Sequence, residues 1–147
     1  MRNACVALVL CVALGSVPGA AQVPEREAVP PYRIECGMEP PCRADLATYI
    51  GYSVFVAHCA SCHAADARGS TFAPDLTERL RGKTQRDFFL ALDRGYLGPL
   101  STMPPRGRDP NVAPYYDELW AYLRARRDGA LPTVPVELLE DDARGAR

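Results

Sequence analysis

Cys59-Ala60-Ser61-Cys62-His63 sets two thiols three positions apart and an imidazole directly after the second. On one helical turn both sulfurs face the same side and the ring follows at once. Three chemistries use such a set: addition of the thiols across the two vinyl groups of a haem with His63 taking the iron, a zinc clip, or a dithiol redox pair. A zinc site needs a second pair of Cys or His ligands, and only His58 and the distant Cys36 and Cys42 are on offer. A dithiol of the thioredoxin kind is framed by strands, whereas this chain reads as helical. The spacing therefore favours one covalent haem c at Cys59 and Cys62 with His63 as proximal ligand, leaving zinc and thiol redox as the alternatives.

Iron held this way needs a sixth ligand from elsewhere. Met1 falls in the leader described below and Met38 precedes the first helix, whereas Met103 follows His63 by about one helix and two loops, in a segment stiffened by Pro99, Pro104 and Pro105. No helical periodicity surrounds Met103, so it does not read as a core filler, and a thioether on iron raises the potential of a His/Met site. Met103 is the expected ligand. His58, the other candidate, is tied beside Cys59 and reads as a surface histidine.

Such a haem is attached outside the cytoplasm, and the N-terminus agrees. Residues 1–21 join Arg2 to an apolar run, Ala4 to Leu14, and a small-residue stretch before Gln22, which is the pattern of a cleaved signal peptide. The run is far shorter than the roughly 20 residues that span a bilayer, so no membrane anchor is expected after cleavage. Cys5 and Cys11 would leave with the leader. The 147-residue chain has a net charge of −1, about −2 once Arg2 is removed, which argues against nucleic acid as a partner. Its positive charge is almost all Arg, with Lys83 the single Lys, and Arg suits bidentate pairing with carboxylates. Nothing repeats internally, and a monomer is expected.

Four segments follow from composition and periodicity. After the leader comes an extension over 22–42, proline-bearing and irregular as far as Met38. A domain over 43–128 contains three helices: about Arg43 to Ala57 with Leu46, Ile50 and Val54 in phase, Thr84 to Arg94 stopped by Gly95, and one opened by Pro114 and ended by Gly129. In the last, Tyr115, Leu119 and Tyr122, flanked by Tyr116, Trp120 and Leu123, form a broad apolar stripe, and Arg124, Arg126 and Arg127 suit the negative end of its dipole. Arg68 to Leu80 and Tyr96 to Ala113 read as loops. A tail over 129–147 is expected to be extended or partly disordered. Cys36 and Cys42, in Cys-Gly-Met-Glu-Pro-Pro-Cys, lack a neighbouring His and in an oxidising compartment read as a local disulfide worth about 2–3 kcal/mol.

Gly51 and Phe55, spaced four apart and ending four before Cys59, together with Glu118-Leu119-Trp120-Ala121-Tyr122-Leu123-Arg124, resemble the class I cytochromes c over roughly Gly51 to Asp128. The resemblance implies a compact all-α fold in which the N- and C-terminal helices cross and a Met loop closes the haem pocket. Gly51 would let the helices approach, with Phe55 and Tyr122 filling the contact. Phe72-Ala73-Pro74-Asp75-Leu76 resembles the family's proline segment, by which likeness the Pro74 carbonyl would accept the Nδ1 proton of His63. Ser101-Thr102-Met103-Pro104-Pro105 resembles the family's Met loop. From Tyr96 to Pro132 the chain is also similar to small periplasmic cytochromes c associated with methanol metabolism and PQQ-dependent alcohol dehydrogenases.

The implied role is that of a periplasmic one-electron carrier, not an enzyme, since His63 and Met103 together leave no open position on iron and no acid, base or nucleophile constellation is present. A PQQ-dependent alcohol dehydrogenase would be its donor and a terminal oxidase or another cytochrome its acceptor. Arg79, Arg81, Lys83 and Arg86, or Arg106 and Arg108, are the candidate docking charges, or else a solvated face. The alternatives are a five-coordinate haem protein that binds a gas or reduces peroxide, and a carrier serving another respiratory donor.

Overall fold

The computed structural model describes residues 32–98, 102–132 and 134–145. The expected signal peptide, the start of the extension, and Pro99 and Ser101 in the Met loop lie outside these. The first described residues form a tight antiparallel pair, β1 (Ile34–Glu35) with β2 (Cys42–Ala44), across which Cys36 and Cys42 are joined as a disulfide. Asp45 then caps α1 (Leu46–His58), its carboxylate accepting from the Thr48 amide at 2.9 Å and from the Arg33 amide. The helix begins later than its periodicity predicts because Arg43 and Ala44 are spent in the strand. One side chain thus stops the extension and starts the helix.

A single turn, α2 (Ala60–His63), follows α1 through Cys59. Within the segment expected to be loop, Asp75 caps one further turn, α3 (Leu76–Arg79), through the amides of Thr77 and Glu78. Thr84 and Asp87 form a reciprocal capping box at the start of α4 (Gln85–Arg94), and Gly95 ends it at φ 65°. The next loop contains two short antiparallel strands, β3 (Tyr96–Leu97) and β4 (Thr102–Met103), with Tyr96 opposite Met103. A 3₁₀ turn at Ala113–Tyr115, with Pro114 inside it, leads into α5 (Tyr116–Arg127). Beyond Gly129 come β5 (Val136–Leu138) and α6 (Glu140–Gly145).

The core is the crossing of α1 with α5. A Cβ on Gly51 would overlap the backbone carbonyl of Glu118, so the two helices touch main chain to main chain at this point. Phe55 and Tyr52 then pack on Tyr122 with ring centroids 5.2 and 5.6 Å apart, and Phe55, Leu119 and Tyr122 are fully buried. On the other side of α5, Trp120 meets Phe88 of α4 at 5.5 Å and lies under the Arg127 guanidinium. Among the described residues no helix is long and apolar enough to cross a membrane.

The fold is largely helical, but the all-α expectation needs correction. Beside the β3–β4 pair there is a three-stranded sheet in the order β1-β2-β5, and β5 runs parallel to β2 with Cys42 opposite Val136 and Ala44 opposite Leu138. The tail, expected to be extended or partly disordered, forms the paired strand β5 and then turns into α6. Leu131, Val136 and Leu139 are all buried, and the Leu139 amide donates to the Ala44 carbonyl at 2.8 Å. Arg33 with Asp142, at 2.9 Å, and Arg43 with Glu137, at 3.5 Å, add ion pairs at the rim. Strands of two or three residues are too short for alternation to register in a sequence, and the three buried apolar residues fit no single period. Replacing Gly51 by Val is expected to cost about 1–3 kcal/mol by forcing α1 away from the Glu118 carbonyl, read as a lower urea midpoint at unchanged slope. The paired change Cys36→Ser with Cys42→Ser is expected to cost about 2 kcal/mol in the same measurement.

Candidate functional site

The site grows from the end of the helix crossing. Phe55, buried against Tyr122, offers its carbonyl to the Cys59 amide at 2.8 Å, and the Cys59 carbonyl accepts from the amides of Cys62 and His63 at 3.1 and 3.0 Å. The five residues thus close into one turn that puts both thiols and the ring on one short stretch. Neither thiol is in a disulfide. Cys62 is exposed, while Cys59 is half-buried; burial pushes its thiol up to about 11, partly offset by the Arg106 guanidinium.

His63 is buried, and its Nδ1 lies 3.0 Å from the Pro74 carbonyl oxygen. A carbonyl can only accept, so Nδ1 carries a proton, and in the neutral ring Nε2 keeps its lone pair for a ligand. The loop that brings Pro74 round is tightly pinned. The Gly69 amide donates to the His63 carbonyl at 2.9 Å, the Ser70 hydroxyl to the Cys62 carbonyl at 2.5 Å, and the Leu76 amide to the Ala67 carbonyl at 2.9 Å. Gly69 has φ 85°, and a Cβ there would come within 2.6 Å of the Pro74 carbonyl carbon. Only glycine lets the proline segment lie this close. Sequence reasoning passed over Gly69, for which a glycine shortly before a Pro-Asp helix cap was the available signal.

Met103 lies in β4, paired with β3, and is partly buried against the core cluster. Next to it, a Cβ on Gly95 would overlap the Met103 carbonyl and stand 2.7 Å from the Pro105 nitrogen. The loop is then tied down by Arg106, whose amide donates to the Leu92 carbonyl at 2.7 Å and whose side chain bonds Asp109 at 2.9 Å and the His58 carbonyl at 3.4 Å. Asp109 is held below the usual carboxylate range, first by the Asn111 amide and also by Arg106. Arg106, expected as a docking charge, is therefore an internal strap between the Met loop and the end of α1. Arg81 is paired with Glu78 at 2.9 Å, whereas Arg79, Lys83, Arg86 and Arg108 are exposed. His58 lines a groove with Ile50, Val54, Ala57 and Tyr115.

From α5, the Tyr122 hydroxyl donates to the Ala65 carbonyl at 3.1 Å, and burial, opposed by Arg126, holds the phenol protonated. One turn on, Arg126 is buried and donates to the carbonyls of Asp66 and Leu131. It had read as a charge for the helix dipole, and no pattern in the sequence distinguishes it from Arg124 and Arg127. Among the described residues no group of three or more His, Cys, Asp or Glu side chains is placed to hold a metal ion. Two free thiols and an imidazole with one nitrogen committed to a carbonyl fit a covalently held haem.

Residues 47–123 match the family model described as cytochrome C oxidase, cbb3-type, subunit III. The chain belongs to the cytochrome c family. It is similar to cytochrome c-553I of Paracoccus denitrificans, 36% identical over 111 residues that cover 72% of this chain and 47% of the relative, so it spans about half that protein's length. It is also similar to cytochrome c-555 of Methylococcus capsulatus (strain Bath), 31% identical over 94 residues covering 63% of this chain and 73% of the relative. Among solved structures it resembles the c-type cytochrome XoxG of Methylobacterium extorquens AM1, with a TM-score of 0.61 and 34% identity over 70% of this chain and 67% of that one. Covalent haem c is the cofactor this family implies.

In this cytochrome, Gly69→Val is expected to push the Pro74 segment off the imidazole and to cost about 1–3 kcal/mol, through both the positive φ and the overlap. Thermal unfolding checks the loss, and the His63 Nδ1 proton resonance is expected to shift with it.

Proposed function

We propose that this cytochrome is a periplasmic one-electron carrier with a single haem c, tethered by Cys59 and Cys62 and ligated by His63 and Met103. The observation that supports the ligand assignment most directly is the 3.0 Å contact between His63 Nδ1 and the Pro74 carbonyl, which leaves Nε2 as the donor atom. The bound haem supplies the one-electron couple of its iron. The chain's own residues then have separable tasks. The two thiols would tether the haem, Pro74 keeps the imidazole in one tautomer and orientation, and Met103 would supply the second ligand. With His63 and Met103 both ligating, the iron would have no position left for a substrate.

The donor we propose is a PQQ-dependent alcohol dehydrogenase, with a terminal oxidase or another cytochrome as acceptor. Support comes from the likeness of the Met loop and the α5–tail junction to cytochromes associated with methanol metabolism, together with the resemblance to XoxG. Alcohol oxidation yields two electrons, so the single haem would be reduced twice per turnover. Docking would be transient and small in area.

In the oxidised holoprotein a far-red thioether-to-iron band is expected, and Met103→Ala is expected to abolish it and lower the midpoint potential. A high-spin wild-type spectrum that shifts with carbon monoxide would overturn the assignment in favour of a five-coordinate gas-binding protein. Stopped-flow reduction by a purified PQQ-dependent alcohol dehydrogenase is expected to be at least about tenfold faster than by an unrelated dehydrogenase, and to respond to salt if exposed arginines steer it. Equal rates with both enzymes would remove this donor and leave a carrier serving another respiratory partner.

A further inference from the structure

We propose that Arg126 is a positioning residue for the His63–Pro74 hydrogen bond, gripping the loop behind the imidazole with one edge of its guanidinium and the C-terminal segment with the other. Nε and Nη2 both donate to the Asp66 carbonyl, at 3.0 and 2.8 Å, and Nη1 donates to the Leu131 carbonyl at 2.5 Å. The residue is 6% exposed, and among the described residues its hydrogen bonds go to carbonyl oxygens and not to a carboxylate. Burying a charge is costly unless its donors are satisfied, and here main-chain oxygens satisfy them. A side chain kept for its charge alone would sit at the surface, as Arg86 and Arg108 do.

The loop it holds needs holding. Ala64 and Ala67 both have φ 61°, a conformation that alanine seldom adopts and that persists only where surroundings impose it. Tyr122 grips the carbonyl of Ala65 and Arg126 that of Asp66, so two successive turns of α5 fix two successive carbonyls between the strained residues. From there the connection is short. The Ala67 carbonyl accepts from Leu76, two residues after Pro74, and the Pro74 carbonyl accepts from His63. On the far side, the Leu131 amide returns to the Ala125 carbonyl at 3.2 Å, which locks the tail to the same helix. The route from Arg126 to the imidazole therefore runs entirely through hydrogen bonds and one turn of backbone.

This inference rests on His63 being the axial ligand, because only then does the strength of its Nδ1–H bond alter the iron. A firm bond to the carbonyl makes the imidazole a stronger donor and favours the oxidised state. Loosening it raises the midpoint potential, whereas removal of a nearby positive charge lowers it. Arg126→Lys separates the two, since it keeps the charge and loses the fork. Arg126→Met loses both.

The test uses the reduced holoprotein, in which the His63 Nδ1 proton is followed by NMR and the potential by spectroelectrochemistry. Wild type is expected to show ring-current-shifted His63 signals; their absence would mean that His63 is not the ligand, which fails the underlying assignment. With those signals present, both Arg126 variants are expected to exchange the Nδ1 proton at least about tenfold faster, and Arg126→Lys to raise the midpoint potential. Phe88→Leu, which loosens the opposite side of α5, serves as a stability control and is expected to change neither. Exchange in Arg126→Lys within about twofold of wild type, or acceleration matched by Phe88→Leu, would overturn the role of Arg126.

Discussion

The main-chain contact between α1 and α5 at Gly51 and Glu118 is the constraint on which the rest of the structure depends. With no side chain between them the helices approach closely enough for Phe55 and Tyr52 to enclose Tyr122. A glycine inside a helix costs about 1 kcal/mol relative to alanine, and burial of three aromatic rings readily offsets that. The crossing also sets direction. Phe55 leads by one hydrogen bond into Cys59, so the orientation of the thiol-bearing turn is inherited from the crossing.

What surrounds that turn is held mostly by main-chain oxygen atoms. The carbonyls of His58, Cys62, His63, Ala65, Asp66, Ala67 and Pro74 each accept from a specific donor, and the donors come from α5, from the loop itself and from the Met segment. Carbonyls cannot titrate, so this scaffold keeps its geometry over a wide pH range, while its polarity stays close to a site where a haem's charge would change by one unit. Two further glycines, Gly69 and Gly95, permit close backbone approaches, one at the proline segment and one beside Met103. Each brings one proposed axial ligand's segment against the body of the fold.

The periphery is bound differently. The extension and the tail meet in a sheet of very short strands, where a disulfide closes the β1–β2 turn opposite buried Val136, and Leu139 is buried beyond the other end of β5. Tyr32 reaches across to Asp128, where hydrogen bonds from Arg127 and Tyr32 outweigh burial and keep the carboxylate ionised. The ion pairs at this rim are exposed and contribute little. Apolar burial and Arg126 hold the clasp to the core, while the disulfide constrains the clasp itself.

By itself the sequence determined what local rules can express. The Cys-Ala-Ser-Cys-His turn, the capping box at Thr84, the end of α4 at Gly95, the apolar stripe of α5 and the cysteine pair all follow from spacing within a few residues, where covalent geometry and hydrogen-bond reach leave few options. Resemblance extended this to Gly51, Phe55, Tyr122 and Pro74, whose roles involve contacts across many residues. Only the tertiary structure decided the rest. Arg126 and Arg106 look like any surface arginine until the chain folds over them, Gly69 like any loop glycine until Pro74 lies against it, and the tail like a disordered end until β2 offers it an edge. In each case the deciding partner is a backbone atom, which every residue possesses, so no pattern of side chains could announce it.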